Sequence, residues 1–304
     1  MKLDVKFINV LLAFLIVIIL VFASGQMGCP KEEEVIFNTT ALIMNFVGDA
    51  PPVEMVAGLN YPIYVDVRNT GGFDVSEGAA HFYLSGIGDN FKNVETHVQN
   101  ANFLPKETPI QEGGQERLTF ATEANPWKTL PSTFDMVMRL DSCYSYATVT
   151  QTSVCVGKGS AVCSIEGEKI VAGSNSNAPI QITSLTESIQ GNKLYVTFKI
   201  ENKGTGEVYL PTTDCDKLQQ DDINEKLKQN QVEISIRAEE GFTCRIQELT
   251  EPYGAIDALE GTSNMGQVTC QKVLPSDTYL SPFEIVVLYK YRETMTKNIK
   301  ILPA

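Results

Sequence analysis

The chain has 304 residues, of which 43% are hydrophobic, and a formal net charge of −13 at pH 7. This length accommodates one large domain or two ordinary ones, each with a real core. Because a phosphate backbone would be repelled by so acidic a surface and no basic stripe relieves it, the composition excludes nucleic acid as a partner.

Residues 1–29 predict a signal segment or a membrane anchor. An apolar run over 7–23, FINVLLAFLIVIILVFA, follows Lys2 and Lys6 and precedes an acidic tether at 30–35. This run is near the lower length limit for crossing a bilayer of roughly 30 Å. The flanking charges place the amino end in the cytoplasm. We therefore expect the membrane to be a partner through residues 7–23 and the remaining chain to be extracellular.

Three fates of this segment stay open. Gly28-Cys29 is similar to the end of a lipoprotein signal, which makes Cys29 a lipidation candidate, although Gln26 stands where that signal has an apolar residue. An uncleaved membrane helix is the second possibility. Cleavage of a plain signal peptide near 23–25, which would release the protein, is the third.

Beyond the tether, short apolar runs alternate with Gly, Pro and Asn clusters, which is typical of strands in an antiparallel sandwich. Strands are predicted over 41–46, 61–67, 81–84, 118–121, 134–140, 180–185, 194–200, 232–236, 283–291 and 295–302. One helix is predicted over 221–230, with Asp221 or Asp222 as its N-cap. The sequence therefore predicts an all-β fold.

An internal repeat divides this region into two halves. Residues 61–71 align with 194–204 on Asn69 and Asn202, and apolar residues occupy every second position of both segments. Such alternation buries one face of a strand. Two further blocks match in the same order: 134–138 with 283–287, and 146–156 with 291–301. The repeat predicts two tandem immunoglobulin-like antiparallel β-sandwiches, at 36–158 and 159–304, the second of which contains the helix.

A strand that ends in (V/I)-x-N-x-G and leads into a second strand occurs at Tyr64–Gly72 and Val196–Gly206. In this feature the chain resembles the CARDB-type immunoglobulin-like adhesion modules of bacterial and archaeal surface proteins. The charged, cysteine-bearing region behind Gly28-Cys29 is also similar to surface proteins of small archaea. The resemblance implies a sandwich fold and an adhesive surface role, and it implies nothing about a particular partner.

Cysteine content fits an oxidising compartment. If Cys29 belongs to the anchor, six cysteines remain for three disulfides: Cys143, Cys155, Cys163, Cys215, Cys244 and Cys270. Six cysteines permit 15 pairings. Pairing of sequence neighbours is the preferred arrangement, namely Cys143–Cys155, Cys163–Cys215 and Cys244–Cys270.

No catalytic motif or cofactor fingerprint occurs, so no catalytic residue and no cofactor are predicted. His81 and His97 lack a third ligand at a defined spacing, which argues against a metal site. One group of side chains offers the hard oxygen ligands that a Ca²⁺ site requires. These are the carboxylates around Cys215: Asp214, Asp216, Asp221 and Asp222. A solvated acidic loop is the alternative interpretation.

Three further features bear on surface chemistry. Trp127 lies in a loop, where it either plugs the end of a core or stacks on a sugar or protein partner. Tyr144 and Tyr146 are predicted to pack in the core. Asn38 begins an Asn-x-Thr sequon beyond the anchor and is the glycosylation candidate.

Together these features predict a membrane-anchored extracellular surface protein with a structural or adhesive, non-catalytic role. Other surface proteins or glycans are the expected partners. The alternative is an extracellular module that binds a glycan or a cation as an accessory subunit of a surface complex.

Overall fold

The computed structural model describes residues 37–87, 91–126, 130–246 and 259–304. The apolar run, Cys29, the acidic tether and Trp127 lie outside the described residues. Within those ranges, no helix combines the length and the apolar character that a membrane span requires. Phe37–Ala304 forms one compact unit.

Strands dominate this unit, which confirms the predicted all-β class. The strands of the first half are β1 (Leu42–Phe46), β2 (Glu54–Val56), β3 (Tyr61–Asn69), β4 (Ala80–Ser85), β5 (Phe91–Lys92), β6 (His97–Gln99), β7 (Gln115–Pro126) and β8 (Phe134–Val156). Those of the second half are β9 (Ile180–Gln190), β10 (Lys193–Asn202), β11 (Glu207–Tyr209), β12 (Gln231–Ala238), β13 (Thr243–Ile246), β14 (Leu259–Asn264), β15 (Gln267–Val273) and β16 (Tyr279–Leu302).

Each half contributes a four-stranded sheet of its own. The order is β1-β3-β7-β5 in the first half and β13-β15-β10-β9 in the second. Both sheets place a repeat strand, β3 or β10, in an inner position. Alternate residues of β3 and β10 are buried, as the apolar periodicity predicted.

A third sheet takes strands from both halves. Its order is β14-β12-β16-β8-β4-β6, with β11 and β2 also paired to β16. The long strands β8 and β16 run antiparallel in unbroken register from Phe134 opposite Ile301 to Val156 opposite Tyr279. The two halves are thus joined through one continuous sheet that crosses the boundary predicted between residues 158 and 159. Division into two immunoglobulin-like sandwiches stays a prediction.

The aligned residues of the repeat make the same contacts in both halves. Tyr146 donates its hydroxyl hydrogen to Oδ1 of Asn69 over 3.1 Å, and Tyr291 donates to Oδ1 of Asn202 over 3.4 Å. Each asparagine also accepts a hydrogen bond from the backbone N–H of the glycine two residues later, Gly71 over 3.2 Å or Gly204 over 3.0 Å. The Asn-x-Gly turn and the tyrosine therefore form one local unit, and the chain contains it twice.

Tyrosines fill the centre of the β8–β16 pairing. Tyr144 faces Tyr291 and Tyr146 faces Tyr289 in the register. All four side chains are buried, and neighbouring rings pack edge to face with centroids about 6 Å apart. The prediction that Tyr144 and Tyr146 are core residues is confirmed.

The predicted helix over 221–230 is only partly present. Two short helices form instead, α1 (Cys215–Gln219) and α2 (Ile223–Lys226). Asp222 is the N-cap of α2, as predicted, and accepts hydrogen bonds from the N–H groups of Asn224 and Glu225. The sequence pattern did not predict α1. Its N-cap residue, Asp214, lies in an acidic stretch that could equally be a loop with calcium ligands, so the helix start was not recognised.

Three disulfides brace the unit: Cys143–Cys215, Cys155–Cys163 and Cys244–Cys270. Only the last agrees with the preferred pairing, so Cys143–Cys155 and Cys163–Cys215 are wrong. Cys143 and Cys155 lie on the same strand, β8. An extended strand rises about 3.3 Å per residue, which places these two cysteines roughly 40 Å apart and out of bonding reach.

Candidate metal centre

Two paired strands bring three aromatic rings to one face of the shared sheet. His81 and Tyr83 are two residues apart on β4 and therefore point the same way. His97 begins β6 and lies directly opposite Tyr83 in the antiparallel register. The Tyr83 and His97 rings stack at a centroid distance of 4.5 Å, and the two imidazoles stack at 5.3 Å.

A disulfide brings the acidic member of the site to these rings. On the other side of β4, His81 lies opposite Cys143 of β8. Cys143 is bonded to Cys215, the first residue of α1, and Asp216 is the next residue along the chain. Asp216 consequently reaches the histidines from the second half of the chain.

The potential donor atoms form a small triangle. Nδ1 of His81 lies 3.2 Å from Nε2 of His97. Oδ1 of Asp216 lies 3.7 Å from Nδ1 of His81 and 3.6 Å from Nε2 of His97. In the part of the chain that the structure describes, no other group of three or more His, Cys, Asp or Glu side chains is arranged to hold a metal ion.

Tyr83 orients the carboxylate. Its hydroxyl donates to Oδ1 of Asp216 over 2.7 Å and lies 3.3 Å from Nδ1 of His81. Burial, followed by the hydrogen bond to Asp216, raises the pKa of Tyr83 well above its usual range. The phenol therefore stays protonated at physiological pH and remains a hydrogen-bond donor.

Burial also acts on His81, the more buried of the two histidines. It lowers the pKa of His81, and this effect outweighs the opposing attraction of the Asp216 carboxylate, while His97 and Lys290 lower the pKa further. At neutral pH the His81 ring is neutral and has a lone pair on one nitrogen.

A small apolar cluster supports the site from below. Its members are separate from the main core: Tyr83, Cys143, Tyr209, Cys215 and Leu218. Gln219, at the end of α1, adds a polar contact by accepting a hydrogen bond from Arg292 of β16 over 3.1 Å. Helix α1 is thus held to the sheet by a covalent bond, apolar packing and a hydrogen bond.

The four carboxylates proposed as calcium ligands are not gathered together. Asp214 caps α1 and Asp222 caps α2. Asp221 pairs with Lys226 over 2.8 Å, and Asp216 turns to Tyr83 and the histidines. Helix capping and an ion pair thus occupy three of the four carboxylates, and calcium binding by this set stays a prediction.

Sequence spacing failed to find the third partner of the histidines. Asp216 lies 133 residues beyond Tyr83 and is brought to the site by the Cys143–Cys215 bond, so no regular spacing in the sequence relates it to the histidines. The adjacency of Asp216 to a cysteine is the one signal in the sequence. It becomes informative only once the correct pairing is known.

The glycosylation candidate is the other predicted site that the structure describes. Asn38 is exposed, and its Oδ1 accepts a hydrogen bond from the Thr40 hydroxyl over 2.9 Å. Exposure is compatible with attachment of a sugar, and glycosylation stays a prediction. Cys29 and Trp127 lie outside the described residues.

No protein-family model and no curated protein matches this chain. Among solved structures, the secreted serine protease VesC from Vibrio cholerae matches at 10% sequence identity and a TM-score of 0.21. The match covers 82% of this chain and 50% of that chain, so this chain spans half the length of the protease. A similarity this distant carries no argument about fold or activity. The resemblance to CARDB-type modules stays a prediction.

Proposed function

We propose that this chain is a membrane-anchored extracellular surface protein with a structural or adhesive, non-catalytic role. The observation that carries the proposal is the set of three disulfides in one compact all-β unit. Disulfides persist in oxidising spaces such as the cell exterior and are rare in the cytosol. A cross-linked β unit suits a protein that must keep its shape outside the cell.

Sequence features support the same placement. The apolar run at 7–23 and its flanking lysines predict export with the amino end held in or at the membrane. Lipid attachment at Cys29 and an uncleaved helix are two ways of achieving this. The CARDB-like strands at Tyr64–Gly72 and Val196–Gly206 favour an adhesive role, with other surface proteins or glycans as partners.

Exposure on intact cells tests this function. We expect proteinase K and a membrane-impermeant biotin reagent to reach the chain on intact producing cells, and the protein to sediment with membranes after lysis. A cytoplasmic protein of the same cells serves as the control and must stay protected. Full protection of the chain on intact cells, with recovery in the soluble fraction after lysis, would overturn the proposal.

A second candidate function is a ligand-binding module, and one observation favours its cation-binding form. His81, His97 and Asp216 meet on an outer face of the shared sheet with their donor atoms within 4.8 Å of one another. The glycan-binding form depends on Trp127, which lies outside the described residues. Retention of the ectodomain on a glycan array, and its loss with Trp127→Ala, would favour the glycan-binding form instead.

A further inference from the structure

We propose that His81, His97 and Asp216 form a binding site for a divalent transition-metal ion of the Zn²⁺ class. The ion would connect strands of the first half of the chain to helix α1 of the second half. This site goes beyond the structural or adhesive role, and its existence does not depend on where the protein resides.

The geometry of the three donor atoms supports the proposal. In a tetrahedral zinc site, ligands about 2.0–2.1 Å from the ion lie roughly 3.4 Å from one another. The three donor separations here are 3.2, 3.6 and 3.7 Å. An ion therefore fits above this triangle with only small side-chain adjustments.

The donor set selects the class of ion. Two imidazole nitrogens and one carboxylate oxygen suit Zn²⁺ and neighbouring ions such as Cu²⁺ and Ni²⁺. Calcium takes six to eight oxygen ligands and is a poor match for a site with two nitrogen donors. The site therefore discriminates against Ca²⁺.

The exposure of the three side chains indicates how an ion would reach the site and where its fourth ligand would bind. The His81 side chain is 17% exposed, His97 is 36% exposed and Asp216 is 52% exposed. Solvent reaches the site from one side while the sheet closes the other. A three-ligand zinc ion in such a position keeps a fourth site for water or for a donor group from a partner.

Neighbouring groups hold the ligands in place before an ion arrives. Tyr83 fixes Asp216 by a hydrogen bond, and the β4–β6 pairing fixes the distance between the histidines. The Cys143–Cys215 bond fixes α1 on the sheet. Groups that orient metal ligands in this way typically change metal affinity by about 10–100-fold when they are removed.

The alternative interpretation is that the two histidines and Asp216 have a structural role and bind no ion. The 3.2 Å contact between the imidazoles is also a hydrogen bond in which one nitrogen donates and the other accepts. In that case the cluster would be complete without an ion, whereas metal binding requires both nitrogens to present lone pairs. The two interpretations differ in a measurable way, because only metal binding changes both rings when Zn²⁺ is added.

The chain contains two histidines, so imidazole NMR reports on this site alone. The test uses the full-length oxidised chain in detergent, freed of metal by a chelator and then titrated with ZnCl₂ or CaCl₂. We expect the ¹⁵N signals of both imidazoles to shift with Zn²⁺ and to saturate at one ion per chain, with no shift at millimolar Ca²⁺. Histidine signals that stay unchanged at saturating Zn²⁺ would overturn the proposal, including when calorimetry detects zinc bound elsewhere.

Calorimetry of variants provides a second test. We expect His97→Gln and Asp216→Asn each to weaken Zn²⁺ binding at least tenfold, since each removes one of three ligands. Asp222→Asn is the matched control, because it removes a neighbouring acidic charge while asparagine retains the helix cap. Equal Zn²⁺ affinity in all three variants would contradict the assignment. If a variant does not fold, the imidazole titration of the unsubstituted chain still decides.

Discussion

Tyr83 donates its hydroxyl hydrogen to Oδ1 of Asp216 over 2.7 Å, although 133 residues separate them. The bond joins strand β4 of the first half of the chain to helix α1 of the second. The Cys143–Cys215 disulfide ties the same helix covalently to the neighbouring strand β8. The outer face of the sheet thus contains a polar site that neither half could form alone.

The first prediction concerns this hydrogen bond. Tyr83→Phe removes the donor and leaves the ring stack, so Asp216 loses its orientation and Zn²⁺ affinity is expected to fall about tenfold. Calorimetric titration with ZnCl₂ measures the change. The control is Tyr209→Phe, since Tyr209 belongs to the same small apolar cluster but its hydroxyl donates to Glu207. An unchanged affinity in Tyr83→Phe would show that the carboxylate is not positioned by the phenol.

Removing the disulfide beneath the site has two expected effects. In the chain-entropy model the Cys143–Cys215 bond, with a sequence separation of 72, contributes about 4 kcal/mol, whereas Cys155–Cys163, with a separation of 8, contributes about 2.5 kcal/mol. The double variant Cys143→Ser/Cys215→Ser should therefore lower the free energy of unfolding more than Cys155→Ser/Cys163→Ser does. It should also weaken Zn²⁺ binding. Urea unfolding and calorimetry measure the two effects.

A matched pair separates stability from metal binding. Cys244→Ser/Cys270→Ser removes a disulfide between strands β13 and β15, in a different sheet. It should destabilise the fold and leave Zn²⁺ affinity unchanged. Equal loss of zinc binding in both double variants would mean that the Cys143–Cys215 bond has no specific positioning effect.

The repeated turn predicts equivalent glycine requirements in the two halves. A Cβ on Gly71 would overlap the Tyr146 hydroxyl and lie 2.8 Å from the carbonyl oxygen of Thr40. A Cβ on Gly204 would overlap the Tyr291 hydroxyl and lie 2.7 Å from Cβ of Pro179. Alanine at either position should therefore destabilise the fold by about 1–3 kcal/mol.

Thermal unfolding of Gly71→Ala and Gly204→Ala checks this expectation. Gly48→Ala is the control, because nothing lies within 4 Å of the position that its added methyl group would take. Its effect should stay within about 0.5 kcal/mol. A neutral Gly204→Ala beside a damaging Gly71→Ala would show that the two turns are not equivalent.

We expect the stability of the fold to decrease at acidic pH through Glu168, which connects the loop after β8 to strand β9. Burial raises the pKa of Glu168, but hydrogen bonds from the N–H groups of Leu185, Ile170 and Lys169 and from the Ser184 hydroxyl lower it more, so the pKa lies below its ordinary value. A carboxyl whose pKa is depressed by folding stabilises the folded state above its unfolded pKa, near 4.5 here. That stability is lost as the pH falls through the folded pKa.

Urea unfolding of Glu168→Gln at pH 7 and at acidic pH measures this contribution. We expect a loss of about 1 kcal/mol at pH 7, since the neutral amide oxygen accepts the backbone hydrogen bonds more weakly and the amide NH2 group cannot accept from the Ser184 hydroxyl. The difference from the unsubstituted chain should be smaller below the folded pKa. Glu123→Gln, at an exposed position of β7, is the control and should show no such difference. A deficit in Glu168→Gln that is independent of pH would contradict the assignment.

Sequence periodicity predicted nine of the sixteen strands that the structure describes, because burial on one face imposes a period of two that local residues reveal. It divided β16 into two strands, 283–291 and 295–302, and it did not predict the remaining seven strands: β2, β5, β6, β11, β13, β14 and β15. The repeat was equally readable: Asn69 and Asn202, aligned by sequence alone, make the same hydrogen bonds to glycine and tyrosine. The sequence did not reveal that β8 and β16 pair with each other, because pairing between distant strands depends on topology rather than on local pattern.

The candidate metal site could not be predicted from the sequence for a related reason. Its histidines come from two strands that pair, and Asp216 reaches them from a helix that the Cys143–Cys215 bond ties to the sheet. Cysteine positions alone permit many connectivities, and proximity along the chain favoured a pairing that an extended strand makes impossible. Sites that depend on disulfide connectivity are thus the least predictable part of such a chain.

Disulfide mapping of the chain from its own producing cells, alkylated before lysis, tests most directly that this is a cross-linked extracellular β-protein. We predict that non-reducing peptide mass spectrometry will find three linked pairs: Cys143 with Cys215, Cys155 with Cys163, and Cys244 with Cys270. Six alkylated thiols in those positions would contradict both the compartment and the bracing of the fold.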